Sequence, residues 1–188
     1  APFGTPGRVD AVLVVDVSAS TQRSARVPAD PVRARVRGTR PLEPDVTILR
    51  AELDSARFLL EDVDTRDTRL GVVAFSAADR FDPPRVEISA WTEVTLTRHL
   101  GAIGAGLDRI GRAGAAGSTN MAAGLDRAID ELIGRGRSRP DPDAAKVVVF
   151  FTDGTPTKPH EDARDNELAV LRAAERAAVH GVRVFSFA

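Results

Sequence analysis

Asp16-Val17-Ser18-Ala19-Ser20 sets a carboxylate and two hydroxyls at alternate positions. Such oxygen groups are the hard ligands that Mg2+ prefers. They also have a plainer use, because Ser and Asp are common helix N-caps and Ser18 or Ser20 could serve only to start the following helix. Two separate stretches carry matching chemistry. Thr119, in Gly117-Ser118-Thr119-Asn120-Met121, offers a hydroxyl, and Asp153, in Phe151-Thr152-Asp153-Gly154, offers a second carboxylate. Asp16, Ser18, Ser20, Thr119 and Asp153 together would form an all-oxygen donor set. Two carboxylates cancel the charge of a divalent cation only if both bind it directly. If one acts through water, the cation stays electrophilic and can take a carboxylate from outside.

These groups need elements that bring them together. Ala11-Val12-Leu13-Val14-Val15 and Val147-Val148-Val149-Phe150-Phe151 are continuous apolar runs, the pattern of strands buried on both faces of a parallel sheet. Asp16 and Asp153 follow their carboxyl ends. The first of these strands is predicted to run from about Val9 to Val15, and further strands are predicted at Leu70–Phe75, Val86–Ala90 and Val182–Phe187. The Val86–Ala90 strand alternates and follows a short link, so it is expected as an antiparallel edge. Helical spacing joins Val46, Leu49, Leu53, Ala56, Leu60 and Val63 in a helix that Asp45 can cap, and Leu96, Leu100, Ile103, Leu107 and Ile110 in a second. A third helix starts at Ser118-Thr119-Asn120 and buries Leu125, Ile129, Leu132 and Ile133. A fourth, Asp165 to His180, carries Leu168, Leu171, Ala174 and Ala178 on its inner face. Strands alternating with helices predict a doubly wound α/β fold: a mostly parallel sheet with one antiparallel edge strand and helices on both faces. In such sheets ligands sit beyond the carboxyl ends of the strands, where strand order reverses. Both aspartates share one crevice if their strands are neighbours there.

The 188 residues fit one domain, spanning 1–188, with a basic Pro/Arg-rich insertion at about 22–45 that holds Pro28, Pro31, Pro41 and Pro44. A net charge of −1 argues against nucleic acid as a partner, and no run is long enough to insert this chain in a bilayer. The absence of cysteine excludes thiolate metal sites and cysteine nucleophiles. Lys146 and Lys158 are the only lysines among 26 basic residues, which suggests a GC-rich bacterial genome. The start at Ala1 fits a mature secreted protein or an excised fragment. Gly111 to Gly117 lacks the Lys-Ser/Thr ending of a phosphate loop. His99, His160 and His180 form no ligand pattern, Asp126 and Asp130 read as a solvated pair, and Trp91, following the edge strand, reads as packing.

The three motifs, Asp16-Val17-Ser18-Ala19-Ser20, Gly117-Ser118-Thr119-Asn120-Met121 and Phe151-Thr152-Asp153-Gly154, resemble the metal-ion-dependent adhesion site of the von Willebrand factor type A (VWA) family. The resemblance covers nearly the whole chain. It implies that Ser18, Ser20 and Thr119 offer hydroxyls to Mg2+, with Mn2+ or Ca2+ as substitutes, while Asp16 and Asp153 bind directly or through water. It implies no catalysis. The function expected is adhesion or assembly, with a protein partner whose Asp or Glu carboxylate completes the metal shell. An extracellular, cell-surface or periplasmic location follows, with a cytoplasmic one as the alternative; oligomeric state stays open. Family members normally carry a further strand and a last helix after the strand matching Val182–Phe187, and these are not expected here.

Two other function classes stay in view. The same site could serve an assembly subunit that partners an ATPase or chelatase. A haloacid-dehalogenase-like phosphatase also places an Asp at the tip of its first strand, but it needs an acid where this chain has Ser18, and a hydroxyl cannot serve as general acid at neutral pH.

Overall fold

The computed structural model describes residues 7–25, 46–78 and 88–187. Among them the sheet has five strands: β1 (Val9–Asp16), β2 (Thr68–Ala78), β3 (Ile88–Thr97), β4 (Ala145–Phe151) and β5 (Val182–Phe187). Their order is β3-β2-β1-β4-β5. β1 pairs in parallel with β2 and β4, β4 pairs in parallel with β5, and only β3 runs antiparallel, at one edge. The chain thus moves outward from β1 to β2 and β3, then returns to the other side of β1 for β4 and β5. Strand order reverses between β1 and β4, where the two aspartates were expected to meet.

The sheet separates two apolar layers because alternate side chains of each strand point to opposite faces. Val12 and Val14 of β1, Val73 and Phe75 of β2, and Val148 and Phe150 of β4 pack under α3 (Met121–Leu132) and α4 (Ala163–Val179). Ala11, Leu13, Val15, Val72, Ala74 and Phe151 pack under α1 (Ile48–Glu61) and α2 (Leu100–Ala113). α3 comes so close to β2 that a Cβ on Gly124 would stand 2.7 Å from the Phe75 ring. At the end of the sheet away from the strand tips, Asp10 is buried and accepts two bonds from Arg69, at 2.7 and 2.6 Å.

Several expectations need correction. Thr47 caps α1, its hydroxyl accepting from Arg50 N–H, while Asp45 lies outside the described residues. Leu96 belongs to β3 rather than to a helix, because pairing with β2 holds the backbone extended as far as Thr97. Trp91 likewise lies within β3, half-buried against the α1–α2 layer. The inner face of α4 is about one residue position away from the expected one. Leu168 and Leu171 are 40% and 59% exposed, and Asn166, Ala173 and Ala177 are buried instead. Small side chains let α4 lie close to α3, and Arg176 fixes its rotation by reaching both Asp126 (2.7 Å) and Asp130 on that helix. These two aspartates are therefore an Arg176 receptor and not a solvated pair. Most of the insertion, residues 26–45, falls outside the described residues, as do residues 86 and 87 of the expected edge strand.

Candidate metal centre

β1 delivers Asp16 to the carboxyl edge of the sheet with no exposed surface. Its Oδ1 accepts from Ser18 N–H at 2.8 Å, which turns the chain sharply. A short 3-10 helix, Ala19–Gln22, follows, and Ser18 is its N-cap residue but makes no side-chain cap bond. The capping use left open for Ser18 is therefore not the one observed. Its Oγ instead lies 3.0 Å from Ser20 Oγ, and Ser20 Oγ donates to Asp153 Oδ1 at 2.9 Å. Asp16 Oδ2 accepts from Thr152 Oγ1 at 2.8 Å. The first and third motifs thus interlock across the β1–β4 switch point.

The second motif is stitched to the first through backbone. Ala19 N–H donates to Gly117 O and Ala116 N–H to Val17 O, both at 2.8 Å. A bridge between Ala77 and Ser118 ties the same loop to the end of β2. The Asn120 side chain then caps α3 by accepting from Ala123 N–H. Thr119, just before this cap, is buried. The loop after Asp153 folds over it: Thr157 Oγ1 accepts from Thr119 N–H at 2.9 Å, and Thr157 and Lys158 N–H donate to Thr119 O. The structure therefore gathers the three motifs at one edge, with direct side-chain contacts among Asp16, Ser18, Ser20, Thr152 and Asp153.

The electrostatics of this edge are negative. Burial pushes the Asp16 carboxyl up, opposed by hydrogen bonds from Ser18 and Thr152, while the neighbouring Asp153 adds to the rise. Among the described residues no group of three or more His, Cys, Asp or Glu side chains is arranged as a metal cage. An ion here would depend on hydroxyls together with two carboxylates. That donor set suits a hard cation, and Ser20 Oγ already lies within hydrogen-bond reach of both Ser18 Oγ and Asp153 Oδ1.

Three contributors were not foreseen. Thr152 and Thr157 orient the site; Thr152 stands inside the third motif but was given no role, and neither spacing nor residue type distinguishes Thr157 in the sequence. Glu52 is the third. It lies on the buried face of α1 with Leu49, Leu53 and Ala56, and is only 8% exposed. Burial, with the charges of Asp16 and Asp153, pushes its carboxyl up to about 9. The Asp16 backbone amide eases this a little, yet no hydrogen bond of ordinary geometry reaches either oxygen. A charged residue inside the apolar period of α1 was the signal that could have found it.

The domain is of the doubly wound α/β class, with two carboxylates and several hydroxyls gathered where strand order reverses, the place at which such sheets hold their ligands. The family model of the von Willebrand factor type A domain matches residues 50–188, and the chain belongs to that family. The match begins after Asp16-Val17-Ser18-Ala19-Ser20, so the first motif lies outside it. Solved structures with the same fold include the pilus adhesin SpaC from Lactobacillus rhamnosus GG, with TM-score 0.67 and 17% identity over 96% of this chain and 24% of that one. They also include an aerotolerance-related membrane protein from Bacteroides fragilis, with TM-score 0.63 and 16% identity over 95% and 66%. Proximal thread matrix protein 1 from the mussel byssus, with zinc in its metal-ion-dependent adhesion site, gives TM-score 0.60 and 19% identity over 96% and 37%. The chain thus spans a quarter to two thirds of the length of these proteins. No curated protein matches it.

Proposed function

We propose that residues 1–188 form one VWA domain whose role is to bind a protein partner through a divalent cation, with no catalysis of its own. Asp16, Ser18, Ser20, Thr119 and Asp153 would hold the ion, with Mg2+ as the physiological choice and Mn2+ or Ca2+ as substitutes. The observation that carries this reading is the side-chain chain Ser18–Ser20–Asp153, continued on the other side by Thr152 and Asp16. It puts hydroxyls, and not a third acidic ligand, between the two aspartates. A bound cation would supply Lewis acidity toward a partner's Asp or Glu carboxylate.

The chain's own groups do the positioning. Thr152 holds one Asp16 oxygen and the Ser18 amide holds the other, so the carboxylate cannot rotate freely. Thr157 pins the Thr119 backbone against the loop that follows Asp153. A surface or extracellular role in adhesion draws support from the pilus adhesin and the membrane protein that share the fold. Among the described residues no helix is long and apolar enough to cross a membrane.

The test is calorimetric titration of Mg2+ and Mn2+ into chelator-treated protein, beside Asp153→Ala. Saturable binding at one site, abolished in the variant, is the expected result. Binding unchanged by Asp153→Ala would overturn the ligand set. The metal-loaded domain should then retain a peptide bearing a free glutamate side chain and release it on adding chelator.

A further inference from the structure

Glu52 presents a problem that the five-residue ligand set does not solve. Both of its carboxylate oxygens are buried and neither has a hydrogen-bond partner. A carboxyl group buried without any hydrogen bond is costly, and proteins normally avoid it. The nearby cations on its own helix are engaged elsewhere. Arg50 bonds Asp54, and Arg57 bonds Asp54 and Asp108. Nor does packing call for an acid, since Leu49, Leu53 and Ala56 on the same face are all apolar. The other buried side-chain atom without a partner among the described residues is Ser76 Oγ, near the carboxyl end of β2.

The position of Glu52 is specific. α1 packs on β1 and on the 3-10 turn after Ser18, and Glu52 feels the charges of both Asp16 and Asp153. The three carboxylates do not form a cage of direct ligands. A carboxylate that is close, buried and outside the inner donor set matches the outer shell of a metal centre, where it would orient a bound water or a ligating side chain.

We infer that Glu52 is a third acidic group of the metal centre, a positioning residue that acts on the cation through Asp16 or an inner-shell water. This rests on the metal-binding reading proposed above. It gives the site three acids instead of two. The loaded centre then holds its cation more tightly and attracts an outside carboxylate less strongly, because the net charge left to the partner is lower.

The test uses the whole 188-residue domain, stripped with chelator, as wild type and as Glu52→Gln. Two quantities are measured: the affinity for Mg2+ and for Mn2+ by calorimetry, and the melting temperature without metal. Loss of an outer-shell partner weakens metal binding about 10-fold or more. The expected result is that weakening, together with a metal-free melting temperature equal to or above wild type, since the glutamine keeps the side chain's size and neither carboxylate oxygen has a hydrogen bond to lose. A purely structural role for Glu52 would lower the metal-free melting temperature, and that outcome overturns the inference. Metal affinity within twofold of wild type also overturns it while leaving the metal site intact. Wild-type protein that binds neither ion overturns both this inference and the reading beneath it.

Discussion

Asp16→Asn separates the proposed metal-binding role of Asp16 from its part in folding. The substitution keeps the shape of the side chain. One Asn oxygen can still accept from Ser18 N–H, now at 2.8 Å, and the amide NH2 can donate to Thr152 Oγ1, which is also 2.8 Å away and able to turn its hydroxyl. Two charge-assisted bonds become neutral ones, a loss of about 1 kcal/mol each. Against this, the variant removes a buried charge that stands beside Asp153 and Glu52. The two effects are of similar size, so the metal-free variant should melt within about 3 °C of wild type. Adding metal separates them. At 100 times its dissociation constant the ion stabilises wild type by about 2.7 kcal/mol, or about 5–11 °C for a domain of this size. If the variant binds about 100-fold more weakly, the same concentration contributes RT ln 2, about 0.4 kcal/mol, or a shift of about 1 °C. Thermal melting followed by fluorescence, with and without Mg2+, reads both quantities. A metal-induced shift in Asp16→Asn equal to wild type would refute the placement of Asp16 at the ion. A metal-free melting point many degrees below wild type would show that this carboxylate is there for the fold.

Other consequences are independent of that site residue. Thr157→Val removes the acceptor for Thr119 N–H and should weaken Mg2+ binding several-fold by calorimetry, with little change in melting temperature, because residue 157 is exposed. Glu131 is buried and accepts from Thr92 Oγ1, Arg137 N–H, Ser138 N–H and Ser138 Oγ, so Glu131→Ala should cost about 3–5 kcal/mol in chemical denaturation. Burial would raise that carboxyl, but the bonds from Arg137, Ser138 and Thr92 outweigh it and hold the group below the ordinary value of 4.5. Its contribution is therefore present above pH 4.5 and lost as pH falls through the lower folded value, a slope that Glu131→Gln should flatten. Gly124→Ala forces a methyl to 2.7 Å from the Phe75 ring and should cost about 1–3 kcal/mol, read as a fall of several degrees in melting temperature.

Much of the architecture was legible without coordinates because it rests on local periodicity. The continuous apolar runs before Asp16 and Asp153 can be satisfied only by a sheet covered on both faces, and β1 is buried from Asp10 to its tip. The five strands, the four helices and the antiparallel edge follow from runs and spacings of this kind. Periodicity failed where contact between elements decided the outcome. Leu96 fits a helical period, yet pairing between β2 and β3 claims it. On α4, Leu168 and Leu171 look like the inner face by hydropathy, but Ala173, Ala177 and the Arg176 bonds to Asp126 and Asp130 set the rotation.

The candidate site divides the same way. Residue type and motif were enough to single out Asp16, Ser18, Ser20, Thr119 and Asp153 as candidates, because the strands and helix that flank their motifs are implied by the sequence. That the motifs of Asp16 and Asp153 meet at one edge of the sheet depended on β1 and β4 being neighbours, a matter of strand order that no local pattern encodes. The bond from Thr152 to Asp16, the part played by Thr157 and above all Glu52 emerged only in three dimensions. Local sequence determines which groups a segment carries and which way its face is apolar. Only tertiary packing decides which charges are buried together, because the field at a carboxylate is the sum over residues far apart in the chain.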